Sequence, residues 1–158
     1  MANTQSMCTS FLGEVLTATH NFGTAPIRAA STADTFKAAL YLASATVNAS
    51  TTVYSSTGEV TGTNYTAGGV TVTNATAPLS SNTSATAGTG YWTPSASLTY
   101  TNVTLTTAFD AVLIYNSTQS NKAVSVHTFG SQTVTAGTFT LTMPSNTTST
   151  ALLRLATT

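Results

Sequence analysis

The chain has 158 residues, four bases and four acids, and charged residues make up 5% of it, against about 25% in ordinary soluble domains. Four scattered bases cannot track a phosphate backbone, which argues against nucleic acid as a partner. No run of about 20 apolar residues is present to cross a membrane.

What remains is 41% apolar and about a quarter threonine, at a length that suits one domain with a real core. Threonine is β-branched and favours strands, with its hydroxyl free to face water. A hydroxyl-rich surface with net charge near zero does little to keep copies apart, so self-association or a place in an assembly is expected. Cys8 is the one cysteine and permits no internal disulfide. The first residues lack a basic stretch followed by an apolar core, so no secretory leader is expected and synthesis in a reducing cytoplasm is.

Residues 9–20 are expected to form the chain's one short helix. Thr9 or Ser10 can cap it, and Glu14 near its start suits the helix dipole. Phe11, Leu12, Val15 and Leu16 fall on one stripe at helical spacing, and Gly23 after Phe22 suits an exit. About three turns do not stand alone in water, so the stripe needs a surface: this chain's own sheet or a neighbouring subunit. Phe11, Leu12, Val15, Leu16 and Phe22 are therefore the candidate assembly-interface residues. Residues 24–33, with Pro26 and many small side chains, read as an extended connector. This divides the chain into an N-terminal helix and connector, 1–33, and a β domain, 34–158.

From Asp34 the period changes to two. Phe36, Ala38, Leu40 and Leu42 alternate with Lys37, Ala39 and Tyr41, predicting a strand with one face in the core. Gly68 and Gly69 supply the positive φ of a tight hairpin between Tyr65 and Val70. Residues 76–90 form the longest loop candidate. Trp92, Leu98, Tyr100, Val103 and Leu105 spread over one or two strands. Residues 108–115 form a near-continuous apolar run, expected to be central and covered on both faces. A polar loop at 116–121 leads to a strand over 122–129. A further hairpin is expected over 132–143, turning at Ala136 and Gly137 and ended by Pro144, with a last strand over 151–155. Eight or nine strands with frequent turn signals predict a mainly β fold, an antiparallel β-sandwich or jelly roll with one short N-terminal helix.

No motif for chemistry stands out. His20 and His127 have no neighbouring cluster at metal-ligand spacing, and Cys8 lacks the marks of an activated nucleophile. Asp34, Asp110 and Glu59 could supply a glycosidase pair, but Asp34 reads as a strand-start residue and Glu59 as a partner for Lys37 or Lys122. The aromatics Tyr54, Tyr65, Tyr91, Trp92, Tyr100 and Tyr115 read as core or interface anchors before a sugar site. Seven Asn-x-Ser/Thr sequons, the first at Asn48, are partly a consequence of the Ser/Thr content. No catalytic residue, cofactor or metal is assigned.

Several phrases do carry a likeness. They are CTSFLGEVL (8–16), HNF (20–22), DTFKAALY (34–41), TGEVTGTNYTAGG (57–69), LIYN (113–116), NKAVSVHTFG (121–130) and GTFTLTMP (137–144). Together they resemble small virion structural proteins of tailed bacteriophages, over nearly the whole chain. The chain departs from that pattern at Leu12, where a lysine is usual, which makes the helix more apolar. The resemblance implies a non-enzymatic virion component made in the host cytoplasm, foremost a head decoration or cement protein. Its partners would be the major capsid protein or other virion proteins, with homo-oligomers expected. A tail, neck or fibre component touching host glycans through its tyrosines is the alternative, and a cell-wall hydrolase a third reading.

Overall fold

The structure, a computed structural model, describes residues 3–8, 11, 15, 19–22, 33–75, 77–81 and 88–156. It is mainly β, with antiparallel sheets. Eight strands are present among the described residues: β1 (Ser6–Met7), β2 (Phe36–Leu42), β3 (Val70–Thr71), β4 (Leu79–Ser81), β5 (Thr89–Trp92), β6 (Leu98–Asn116), β7 (Lys122–Leu141) and β8 (Leu153–Ala156). They form a five-stranded sheet in the order β1-β7-β6-β2-β3 and a three-stranded sheet in the order β4-β5-β8. The helix expected over 9–20 lies outside the described residues apart from Phe11, Val15, Thr19 and His20, and no helix is among the described elements.

β2 runs between β6 and β3. Its alternation predicts one covered face, yet Ala38, Ala39, Leu40 and Tyr41 are all buried. The reason lies at its second edge. Val70 and Thr71 pair with Ala38 and Lys37. Further along, Val60 N–H donates to Leu40 C=O and Leu42 N–H to Gly58 C=O, so residues 58–60 continue the edge that β3 begins. Gly69 makes the join possible: its φ is +73°, and a Cβ there would stand 1.7 Å from the Ala38 oxygen. The expected partnership of Tyr65 with Val70 is replaced by a turn in which Gly69 N–H donates to Thr66 C=O.

β6 and β7 are joined by the short turn at 117–121 and pair from Asn116–Lys122 to Leu98–Leu141. What reads as a strand over 122–129 followed by a hairpin over 132–143 is one strand of 20 residues, Lys122–Leu141. Ala136 does take a left-handed φ of 45°, as does Asn102 at 55°, but these serve bulges rather than a turn. Register shifts interrupt the ladder five times, four of them between Tyr100 and Ala111. Bulges bend and twist a paired ribbon, and this ribbon folds back on itself. Leu98 and Leu141, at its far end, line the same cavity as Val112 and Ile114, although 14 strand residues would separate Leu98 from Val112 by about 46 Å if straight. Tyr100 reaches back to donate to Ala38 C=O at 2.8 Å.

The N-terminal segment is part of the same core. β1 pairs with β7, and Cys8, Phe11 and Phe22 are buried in one cluster with Phe36, Trp92 and the β6 side chains. Phe22 stacks on Phe36 with centroids 4.3 Å apart and meets Trp92 at 4.7 Å. Asn3 ties down the first residues, donating to Leu42 C=O and to Asp110 Oδ1 while accepting from Val47 N–H.

Candidate functional site

The side chains that could carry chemistry are built into the fold. Glu59 is 6% exposed. Its carboxylate accepts from Tyr54 Oη at 2.6 Å, Tyr65 Oη at 2.7 Å and Gly68 N–H at 2.7 Å. The Tyr65 hydroxyl also accepts from Leu40 N–H, and Tyr115 donates to Gly68 C=O. The tyrosines therefore close the gap in the second edge of β2, with Glu59 as the hub, where the sequence suggests Lys37 or Lys122 as its partner. Burial pushes Tyr41 and Tyr115 up to about 12. Burial first, then the Glu59 hydrogen bond, pushes Tyr54 and Tyr65 higher still.

Asp34 is the second hub. It accepts from Asn21 N–H, Asn116 Nδ2 and Gln119 Nε2 at 2.8–3.1 Å. Asn116, fully buried, also approaches His20 Nδ1 at 3.1 Å and accepts the amides of Thr118 and Gln119. The network fastens the β6–β7 turn to the residues before β2. His127 Nε2 lies 2.9 Å from Ser125 Oγ, and burial lowers the imidazole from 6.5 to about 4, so it is neutral at pH 7. A Ser–His contact is the start of a nucleophile–base arrangement, but Ser125 is 1% exposed, and no carboxylate hydrogen-bonds the ring among the described residues. Cys8 is fully buried. Among the described residues no three His, Cys, Asp or Glu side chains gather to hold a metal ion, and no helix is long and apolar enough to cross a membrane.

The candidate site is instead an apolar cleft of about 210 Å³ on the three-stranded sheet. Gly90 and Trp92 of β5 and Leu153 of β8 lie in its floor, with Leu155 of β8 at its edge, and Pro78, Leu79, Phe11, Val15, His20 and Phe22 complete the lining. The floor follows from register: Gly90 is opposite Leu155 and Trp92 opposite Leu153, so these four share a face. The hollow exists because residue 90 has no side chain. Among the described residues, a Cβ on Gly90 would meet only the Leu155 carbonyl oxygen, at 3.8 Å, and its φ lies outside the left-handed range. Neither turn geometry nor crowding requires glycine there. A glycine in such a strand costs stability and marks a place where another group can approach closely. The rim holds Val15, Leu79 and Leu155, which are 37%, 47% and 40% exposed. They are three of the four exposed large hydrophobics among the described residues, Val53 being the fourth.

Of the five candidate interface residues, Phe11 and Phe22 are buried against this chain's own core and form the back of the cleft. Val15 stands at its rim, and Leu12 and Leu16 lie outside the described residues. Gly90, Leu79 and Leu155 are not legible from the sequence as a group. Their nearest signals are a glycine within an expected loop and the alternation of Leu153 with Leu155. No family model, curated protein or solved structure matches the chain.

Proposed function

We propose that this chain is a non-enzymatic structural protein of a bacteriophage virion: a β-sandwich of jelly-roll type that decorates the capsid by binding the head shell. The observation that carries the reading is the cleft, where three exposed apolar side chains ring one hollow on a chain with only four bases and four acids. Apolar burial supplies affinity without direction or charge, which suits a permanent contact inside a particle better than one that must be found quickly by electrostatic steering. The resemblance of the phrases from CTSFLGEVL to GTFTLTMP to tailed-phage virion proteins supplies the setting. On this reading the major capsid protein fills the cleft with an apolar side chain.

Imaging of purified particles tests the location. Density for this chain over the head shell is expected; density confined to the tail, neck or fibres overturns the decoration role. Binding of the purified chain to undecorated heads tests the surface. Leu79→Asp and Gly90→Val are each expected to weaken binding by about tenfold or more, the scale of a central contact, with the circular dichroism spectrum unchanged. Undiminished binding by both variants overturns the cleft as the docking surface.

A further inference from the structure

We propose that β8 is an interface to a second copy of this chain. The β8 of each copy pairs antiparallel with the other, so that two three-stranded sheets become one six-stranded sheet across a two-fold axis. β8 is the last strand of the order β4-β5-β8, and among the described residues its second edge has no backbone partner. Such an edge is a template for another strand, and monomeric proteins blunt it with very short strands, charged side chains, proline, bulges or a covering segment. β8, with the sequence Leu-Arg-Leu-Ala, is short and carries one charge, Arg154, but it has no proline and no register shift against β5. Leu155 is 40% exposed.

There is room for the incoming strand. Beside β8 a cleft of about 230 Å³ is lined by Ser6 and Met7 of β1, Ser125 and His127 of β7, and Leu153 and Arg154 of β8. An added strand would lie along this cleft, beside the half-buried Ser6 and Met7 of β1.

The chemistry favours a second copy over another polypeptide. Antiparallel edge pairing is self-complementary, the same patch serving on both partners. Two chains without net charge do not repel at long range. Arg154, the one charged side chain lining the cleft, then selects the register. Placing Arg154 opposite its copy would set like charges side by side. Centring the pair on Leu155 instead puts Arg154 opposite Ala156 of the other copy and brings the two exposed leucines together. Centring it on Leu153 would use a side chain already only 7% exposed. The inference does not rest on the virion reading, because a chain found on any part of a particle, or on none, would still pair through β8.

Two measurements on the full chain decide it. Sedimentation of the wild-type protein at about 100 µM, well above the Kd expected of a specific dimer, is expected to show a dimer, and Leu155→Lys a monomer with an unchanged circular dichroism spectrum. Mild oxidation of Leu155→Cys is expected to give a disulfide-linked dimer, because directly opposed residues of an antiparallel pair lie within disulfide range. Ser131→Cys, exposed on β7, serves as the collision control, and the buried Cys8 stays unreactive. A wild-type monomer at that concentration overturns the proposal. So does a dimer that survives Leu155→Lys, or cross-linking at 155 no greater than at 131.

Discussion

Glu59 is 6% exposed and accepts three hydrogen bonds, and without it the buried Gly68 N–H would be stranded. Hydrogen bonds to a charged group contribute about 1.5–3 kcal/mol and a stranded donor costs about 1–3, so Glu59→Ala is expected to lower unfolding stability by about 3 kcal/mol or more, read from urea titration. Tyr65→Phe, which removes one of the three donors, should cost less. Two glycines make an opposite pair. Gly69→Ala forces a side chain onto the Ala38 oxygen at a left-handed φ, and loss of the folded state or of about 3 kcal/mol is expected. Gly90→Ala meets open space and should raise stability by about 0.5–1 kcal/mol. Calorimetry of the two variants separates a glycine the backbone needs from one that only keeps a hollow open.

The β6–β7 ribbon shows how an element acquires its shape. Period-two patterning marks the residues as strand, but whether the strand continues through Ala136–Gly137 is decided by its partner. Val103 and Leu105 pair across the bulges and hold the chain extended where isolated turn residues would reverse it. Folding back brings Leu141 and Met143 over His127, and that cover depresses the imidazole to about 4 from 6.5. The neutral form is the one the fold accepts, so stability from this group is fully present above pH 6.5. As pH falls through 6.5 toward 4 the unfolded chain binds a proton the folded chain refuses, and stability is lost. A displacement of this size corresponds to about 3 kcal/mol at its fullest. His127→Gln is expected to remove that part of the slope, leaving the part due to carboxylates, when urea midpoints are compared at pH 7 and pH 4.5.

At the scale of the whole molecule, the described residues among the first 22 are not an appendage. They contribute an edge strand, the buried side chains Cys8, Phe11 and Phe22, and the Asn21 amide that Asp34 accepts. Three buried side chains at about 2 kcal/mol each approach the roughly 5–15 kcal/mol by which domains are stable. Deleting residues 1–22 is therefore expected to abolish the cooperative thermal transition. Retention of the wild-type midpoint by the truncated chain would show that the rest of the molecule stands alone.

Some of this was decided by sequence alone. The mainly β, antiparallel character, the strand at 36–42, the central apolar run ending at Tyr115 and the polar connection after it follow from side-chain period and composition, which act between near neighbours. The near absence of charge, and with it the prospect of lasting apolar contacts, is likewise a property of composition. Only the tertiary structure decided that 122–141 is one strand, that tyrosines 54 and 65 hold Glu59, and that Gly90 floors a cleft ringed by Val15, Leu79 and Leu155. Each of these depends on which strands pair and in what register. A bulge or a one-residue shift changes which side chains share a face, and nothing in a residue's immediate neighbours records it. The sparsely charged, hydroxyl-rich chain is written in its letters; its apolar cleft exists only once β4, β5 and β8 lie side by side.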